Sequence, residues 1–294
     1  MYSVKDITNP FGAPVYYRET VSSTMDESRL LAAAGEPGGT VIAADFQEAG
    51  RGRTRGRSWT ADRGKNLFFT ILLRYPDFPS IPRAITLRTG LALSLAVEDF
   101  APALAGMVLV KWPNDLMLCP PAGADGQAGT GAKTGAACKT GAAYKAGVAY
   151  KAAGILTEGD GETVFIGIGV NVAQTEFPES FRARATSIQL ALQSLAGAKG
   201  LSPEVPRSPL GLLEKILARL YRELVPGQAE DWRPRLEERL YLAGREVSFV
   251  PGAADAGRVL EGHLAGIGPG GELRIIPRGE AAARSFVTGE LRIP

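Results

Sequence analysis

The chain changes texture at Tyr241, and that change limits what it can fold into. Before it, apolar runs of strand length alternate with stretches long enough for buried helices. After it come only short alternating segments, "REVSFVPG", "RVLEGHLAGIGPGGELRIIP" and "ARSFVTGELRI", parted by Gly and Pro. Short strands with closely spaced turn residues predict a small β-barrel. The 294 residues suffice for one large unit and one small one. The expected architecture is α+β, with a mixed-sheet domain over 1–240 and a C-terminal β-barrel over 241–294.

In the larger part, "VYYRETV", "GTVIAADFQ", "NLFFTILLRY", "GMVLVKWPND" and "ETVFIGIGVNV" predict strands, being rich in branched and aromatic residues. The stretch "SSTMDESRLLAAAG" predicts a helix, with Thr24 and Glu27 at capping-box spacing and Gly35 as its stop. "IPRAITLRTGLALSLAVEDFA" predicts a long buried helix. Further helices are expected at about 208–225, where Ser208 and Pro209 supply the N-cap and first position, and at about 229–242. One segment, about 119–150, is low-complexity. It carries three hexads in register, "GAACKT", "GAAYKA" and "GVAYKA", whose regular glycines oppose a helix. A flexible surface excursion is expected there.

Composition excludes several classes. A net charge of only +2 opposes a dedicated nucleic-acid binder, so dense positive charge is local. The single histidine, His263, lies in an alternating segment and is expected on a strand surface. That removes Ser-His-Asp and Cys-His catalysis. The two cysteines, Cys119 and Cys138, lack CxxC spacing, which implies neither a zinc site nor a disulfide framework and fits a reducing cytoplasm. The start has no signal pattern, and no apolar run approaches a membrane span. A soluble cytoplasmic protein, without membrane or nucleic-acid partners, is expected.

Positive charge concentrates in "QEAGRGRTRGRSW", Gln47 to Trp59, with four arginines and three glycines. Glycine lets the main chain approach a ligand closely, and the arginine fork suits phosphate or carboxylate. Gly50 and Gly52 would bring backbone N–H groups close, while Arg51 and Arg53 supply charge. A solvated basic loop or an RNA contact explains the same residues equally well. Trp59 could stack on a base, though a lone tryptophan is more often core. "KWPND" clusters Lys111, Asn114 and Asp115 where a strand ends, a common place for binding residues, or else a plain Pro-Asn-Asp turn. "YKAAGILTE" sets Lys151 three residues before Gly154. In "IGIGVNV", Gly167 and Gly169 clear a flat space on a strand, and Asn171 adds an amide. Tight helix–strand packing explains those glycines as well.

Taken in order, "SST" at Ser22 to Thr24, the arginine loop, "KWPND", "KAAGIL" and "IGIGVNV" resemble the biotin protein ligases. The resemblance implies a class II synthetase-like mixed-sheet catalytic domain with an SH3-like C-terminal barrel. It implies that biotin and ATP, with Mg2+, form biotinyl-5'-AMP, and that biotin passes to one lysine of a biotin carboxyl carrier protein domain. No protein-held metal is implied. By resemblance, Ser23 and Thr24 contact the ureido ring with Gln47 near the head group, and Met25, Gly50, Gly52, Gly154 and Gly167 complete the biotin subsite. Arg51, Gly52 and Arg53 hold the phosphate and adenylate. Lys111 and Lys151 face the reacting carboxylate and α-phosphate. Trp59 and Asn171 meet adenine, Asn114 belongs to the nucleotide subsite, and Asp115 is near the acceptor lysine.

Two features depart from the family pattern. The loop is one residue longer than the usual GRGRxGR, so only Arg51 and Arg53 carry over. The "KWPND" strand is joined to the next by about thirty residues rather than a short turn. No helix-turn-helix stretch precedes the catalytic segments, so the single-function type is expected. Lipoate and octanoate ligases are the nearest rival; their Arg-Arg and triple-glycine motif with a histidine is missing. An RNA-binding module is a rival of another class, opposed by the near-neutral charge. A catalytically dead carrier-binding protein is opposed by intact Arg51, Arg53, Lys111 and Lys151.

Overall fold

The computed structural model describes residues 3–53, 59, 62–119, 149–179, 184–199, 208–225, 227, 231–252 and 259–292. The hexads, with Lys139 and Lys145, and the later arginines Arg55 and Arg57 lie outside the described residues.

The larger sheet has eight strands, and all but one of its pairings are antiparallel. They are β1 (Ser3–Val4), β2 (Val15–Val21), β3 (Val41–Gln47), β4 (Asn66–Arg74), β5 (Val108–Lys111), β6 (Asp115–Leu118), β7 (Tyr150–Asp160) and β8 (Thr163–Asn171). Their order is β1-β2-β3-β4-β8-β7-β6-β5. The parallel pair, β2 with β3, is joined by helix α1 (Thr24–Ala33), because parallel neighbours need a crossover. Strands β4 and β8 are buried almost throughout, which explains their unbroken apolar sequence: both faces are covered. Helix α1 packs on one face through Met25, Leu72 and Phe165. On the other face lies α2 (Ile85–Phe100), whose Gly90 sits against Val110 and Ile155.

Two helix expectations are corrected, and one further helix is present. Thr24 is not the cap of α1: Ser23 is, in extended backbone and without a side-chain cap bond. Gln47 Oε1 accepts from Thr24 N at 2.8 Å instead, and Glu27 pairs with Arg18 at 3.1 Å. A helix not expected from the sequence, α3 (Ile188–Lys199), follows β8; its buried Ile188, Ala191, Leu192, Leu195 and Ala196 recur at helical spacing. Helix α4 (Pro209–Leu224) begins as expected after Ser208. The helix expected over 229–242 is shorter. It is α5 (Trp232–Glu237), and the residues beyond it run beside β5. Val110 N donates to Arg239 O at 2.8 Å, and Tyr241 N donates to Val110 O at 2.9 Å. The open edge of β5 needs backbone partners, and that demand outweighs helix propensity.

The second sheet is antiparallel, with β9 (Glu246–Pro251), β10 (Leu260–Ile267), β11 (Leu273–Pro277), β12 (Arg284–Phe286) and β13 (Gly289–Leu291). Its order is β12-β11-β10-β9-β13. It is SH3-like, but among the described residues β12 and β13 are not paired, so the expected barrel is not closed. His263 is exposed on β10, as its alternating context predicts. Cys119, just after β6, is disulfide-bonded, a pairing that the cysteine spacing did not imply. Phe249, Leu264, Leu273 and Leu291 share one apolar core with the larger sheet. Among the described residues no helix is long and apolar enough to cross a membrane.

Candidate active site

Register builds the floor of the site. Lys111 pairs with Asp115, Asp115 with Gly154, Gly154 with Gly169, and Gly169 with Phe68. These five residues form one row across β5, β6, β7, β8 and β4, on the face that carries α1. The two central glycines turn the row into a trough. The indole of Trp59 lies in it: a Cβ on Gly154 would stand 2.9 Å from Trp59 Cζ3, and one on Gly169 would stand 3.2 Å from Cε2. In the next row, a Cβ on Gly167 would meet Met25 Sδ at 2.9 Å. The space expected above the glycines is thus shared with the chain's own Trp59 and Met25. Trp59 also meets Phe68 edge-on, with ring centres 6.3 Å apart. Its Nε1 is buried without a hydrogen-bond partner, a donor left for a ligand.

Lys151 reaches this floor through a bulge. Leu116 pairs with Ala153 and Met117 with Lys151, so Ala152 is an extra residue in β7. In a regular strand residues 151 and 154 would point to opposite faces. The bulge puts both on one face. Lys151 Nζ then lies 2.6 Å from Asp115 Oδ1, while Lys111 Nζ lies 4.0 Å from Asp115 Oδ2. Two ammonium groups around one carboxylate leave one net positive charge. Asn114 ties this turn to β7: its Nδ2 donates to Ile155 O at 2.8 Å, and its own carbonyl accepts from Ile155 N at 2.9 Å.

The opposite wall comes from the start of α1 and the end of β3. Thr70 donates to the Thr24 hydroxyl at 2.9 Å, which donates to Gln47 Oε1 at 3.1 Å. The relay fixes the Gln47 amide beside Ser23. Arg51 forms an ion pair with Asp26 in the first turn of α1. Arg53 donates through Nη2 to the Gly289 carbonyl of β13 at 3.1 Å, a neutral partner. The loop closes where Trp59 N donates to Gly50 O at 3.0 Å.

The groove between these walls is lined by Ser23, Thr24, Met25, Gln47, Arg51, Gly52, Arg53, Trp59, Asn114, Lys151, Gly154 and Gly167, all singled out from the sequence. Lys111 and Asp115 do not line it; Asp115 meets Lys151 from behind, and Lys111 approaches Asp115. Gly50 turns toward Gln47 and Trp59. Asn171 is buried off the groove and donates to Thr186 O at 3.0 Å. Phe68, Gly169, Ile155, Leu156 and Ile168 also line the groove. Gly169 shares the Gly-x-Gly motif with Gly167, so the sequence pointed to it; the others are visible only once strand register is known. Among the described residues no group of three His, Cys, Asp or Glu could hold a metal ion.

The two sheets, with the groove on the larger one, define the biotin protein ligase fold. The biotin protein ligase of Aquifex aeolicus, solved with biotin and ATP, superposes with a TM-score of 0.66 at 22% identity, covering 95% of this chain and 99% of that one. The biotin protein ligase of Leishmania major, solved with biotin, superposes with a TM-score of 0.54 at 24% identity, over 93% and 98%. By sequence the relatives are biotin ligases. The bifunctional ligase/repressor BirA of Bacillus spizizenii is 32% identical over 192 residues, 63% of this chain and 49% of that protein. The biotin–[acetyl-CoA-carboxylase] ligase of Mycobacterium tuberculosis is 29% identical over 240 residues, 81% and 74%. The chain spans about half the length of the BirA relatives it matches. No family model matches the chain.

Proposed function

We propose that this chain activates biotin with ATP to biotinyl-5'-AMP and transfers biotin to a lysine of a biotin carboxyl carrier protein domain. The observation that carries the reading is the Lys111–Asp115–Lys151 group beside a glycine-floored groove that Arg51 and Arg53 close from the other side. Residues 1–240 form the catalytic unit and 241–294 a cap. ATP supply makes the cytoplasm the site of action.

The chemistry follows from charge. A carboxylate must approach a triphosphate, and the two repel. Lys151 and Arg53 neutralise both and stabilise charge developing on the pentacoordinate phosphorus. A biotin carboxylate oxygen bonds to the α-phosphorus as the bond to the β-phosphate bridging oxygen breaks, and pyrophosphate leaves. The acceptor lysine, as free amine, then attacks the acyl carbon; AMP leaves and the amine loses a proton. Asp115 holds the Lys151 ammonium at the phosphate during the first step. Ser23, Thr24 and Gln47 supply polar groups for the ureido ring, and Met25 and Gly167 the apolar wall. Trp59 Nε1 and the indole face are offered to the nucleotide. Magnesium enters with the triphosphate as part of that substrate, since such ions are held largely by phosphates and waters.

The test is pyrophosphate release with biotin, with lipoate, with octanoate and with no acid, followed by mass analysis of a carrier domain. Release with biotin alone and a single biotinylated lysine support the reading. Release with lipoate or octanoate but not biotin overturns it.

A further inference from the structure

We infer that Trp112 is a positioning residue: through it the C-terminal sheet holds the turn that carries Lys111 and Asp115. The inference rests on the ligase reading for its kinetic part only. Trp112 is 2% exposed and does not line the groove. It points away from the site into the second sheet. Its Nε1 donates to Gly271 O at 3.0 Å, and its ring meets Phe249 of β9 edge-on with centres 6.0 Å apart. Phe249 is itself packed against Phe286 of β12 at 4.8 Å.

Gly271 is a seat that only glycine fits. Its φ is +92°, and a Cβ there would stand 2.7 Å from Ala84 Cβ at the start of α2. The β10–β11 turn is therefore wedged between α2 and Trp112. On the other side of Lys111, Val110 exchanges backbone hydrogen bonds with Arg239 and Tyr241. Arg239 is fixed in turn by two bonds to Glu98 of α2, at 2.7 and 2.9 Å. Both chain neighbours of Lys111 are thus gripped by the segment from 239 onward. Only residues 112–114 separate the paired Lys111 and Asp115, so any shift of Trp112 is passed to both. Thr24 and Gln47 stand on α1 and β3 and are anchored to each other, independently of Trp112.

This separation sets the expected signature. Loosening Trp112 should misplace the groups that face the reacting atoms and spare the ureido subsite. Misplacement on the ångström scale is costly for a reaction that depends on alignment.

The experiment compares the full chain with Trp112→Phe, which keeps an aromatic ring but loses the donor, and with Gly271→Ala, which disturbs the seat from the far side. Both should speed amide exchange over 114–118 by about tenfold, a loss of one hydrogen bond's worth of protection. Both should lower kcat for pyrophosphate release by about tenfold while KM for biotin stays within about twofold. Unchanged exchange, unchanged kcat, or a biotin KM that rises in step with the loss of kcat overturns the inference. If Gly271→Ala does not fold, Trp112→Phe decides. If the wild-type chain releases no pyrophosphate with biotin, the ligase reading fails, and the exchange measurement alone decides whether Trp112 positions the turn.

Discussion

Lys151 and Asp115 form a 2.6 Å ion pair because one extra residue, Ala152, interrupts the β6–β7 ladder. The bulge exchanges one regular pairing for a lysine on the groove side. Lys151→Ala should lower pyrophosphate release by about 10²–10³-fold, the scale for removing one preorganised charge from a transition state. Deleting Ala152 should largely spare it, since Lys151 would then stand two residues before Gly154 in a regular strand and keep the groove face. Single-turnover adenylate formation measures both. A loss in the Ala152 deletion as deep as that of Lys151→Ala would contradict this account of how Lys151 reaches the groove side.

The floor glycines separate the two halves of the groove. Gly154, which the resemblance assigns to the biotin subsite, lies under the Trp59 indole, so Gly154→Ala pushes on that ring, and Gly167→Ala pushes on Met25. The first should raise KM for ATP by about tenfold and leave KM for biotin nearly unchanged; the second should do the reverse. Steady-state kinetics in both substrates checks this. Equal effects on the two substrates would mean that the groove is not divided along these rows.

What the sequence made legible was chemistry at strand ends. The arginines and glycines of the 47–59 loop, the Lys-Asn-Asp group and the paired glycines stand out because those residue types are costly or unusual there without a ligand. What it hid was register. "KAAG" looks like regular strand, so the bulge at Ala152 is invisible until the partner strand is known. Phe68 looks like any core aromatic until Gly169 lies opposite it. Trp112 looks like part of a turn until the second sheet is in place. The helix expected at 229–242 failed because residues 239–241 serve the open edge of β5, a demand made by residues more than a hundred positions earlier. Helix α3, in contrast, carries a helical apolar period in its own sequence.

The ends of the low-complexity segment bear on its removal. Leu118 pairs with Tyr150, so the two strands it joins already lie side by side. Closing a loop costs only about 0.6 kcal/mol per doubling of its length, so shortening it is mildly favourable. Deleting residues 120–146, which also removes the second of the two cysteines, should leave pyrophosphate release within about twofold of the full chain. A loss of more than tenfold would place the segment in the working site.

A pH dependence of stability is expected where α2 meets α4. Arg219 donates to both carboxylate oxygens of Asp99 at 2.7 Å, and those bonds hold the Asp99 carboxyl below its ordinary value. A depressed folded-state value means that the contribution is complete above the unfolded value, near about 4, and is lost as pH falls through the folded one. Asp99→Asn should therefore lower Tm at pH 7 by about 1–3 °C, as expected for a partly exposed pair, and the difference should shrink below about pH 4. Tm of both proteins across pH 2.5–8 checks it; a difference that grows toward acid contradicts the assignment.

Arg53 joins two tasks that one substitution can separate from catalysis proper. Its guanidinium sits at the groove, and its Nη2 holds the Gly289 carbonyl, so it ties the clamp loop to β13. Gly289 cannot easily yield: a Cβ there would stand 2.2 Å from the Phe249 ring, so the backbone at that point is locked into the second sheet. Removing the arginine removes both a positive charge over the anionic intermediate and the tether that keeps the loop over it. A mixed anhydride held loosely escapes before the acceptor arrives. Lys111, Asp115 and Lys151 are untouched, so adenylate formation should survive at a reduced rate. Arg53→Gly should therefore release free biotinyl-5'-AMP and raise labelling of an unrelated bystander protein by about tenfold or more, while the specific labelling of a carrier domain falls. Arg53→Lys, which restores charge but reaches the carbonyl less well, should fall between. The measurement is mass detection of the free intermediate together with biotin counts on both proteins. A variant that forms the intermediate at a normal rate and retains all of it would show that neither the charge nor the tether of Arg53 closes the groove.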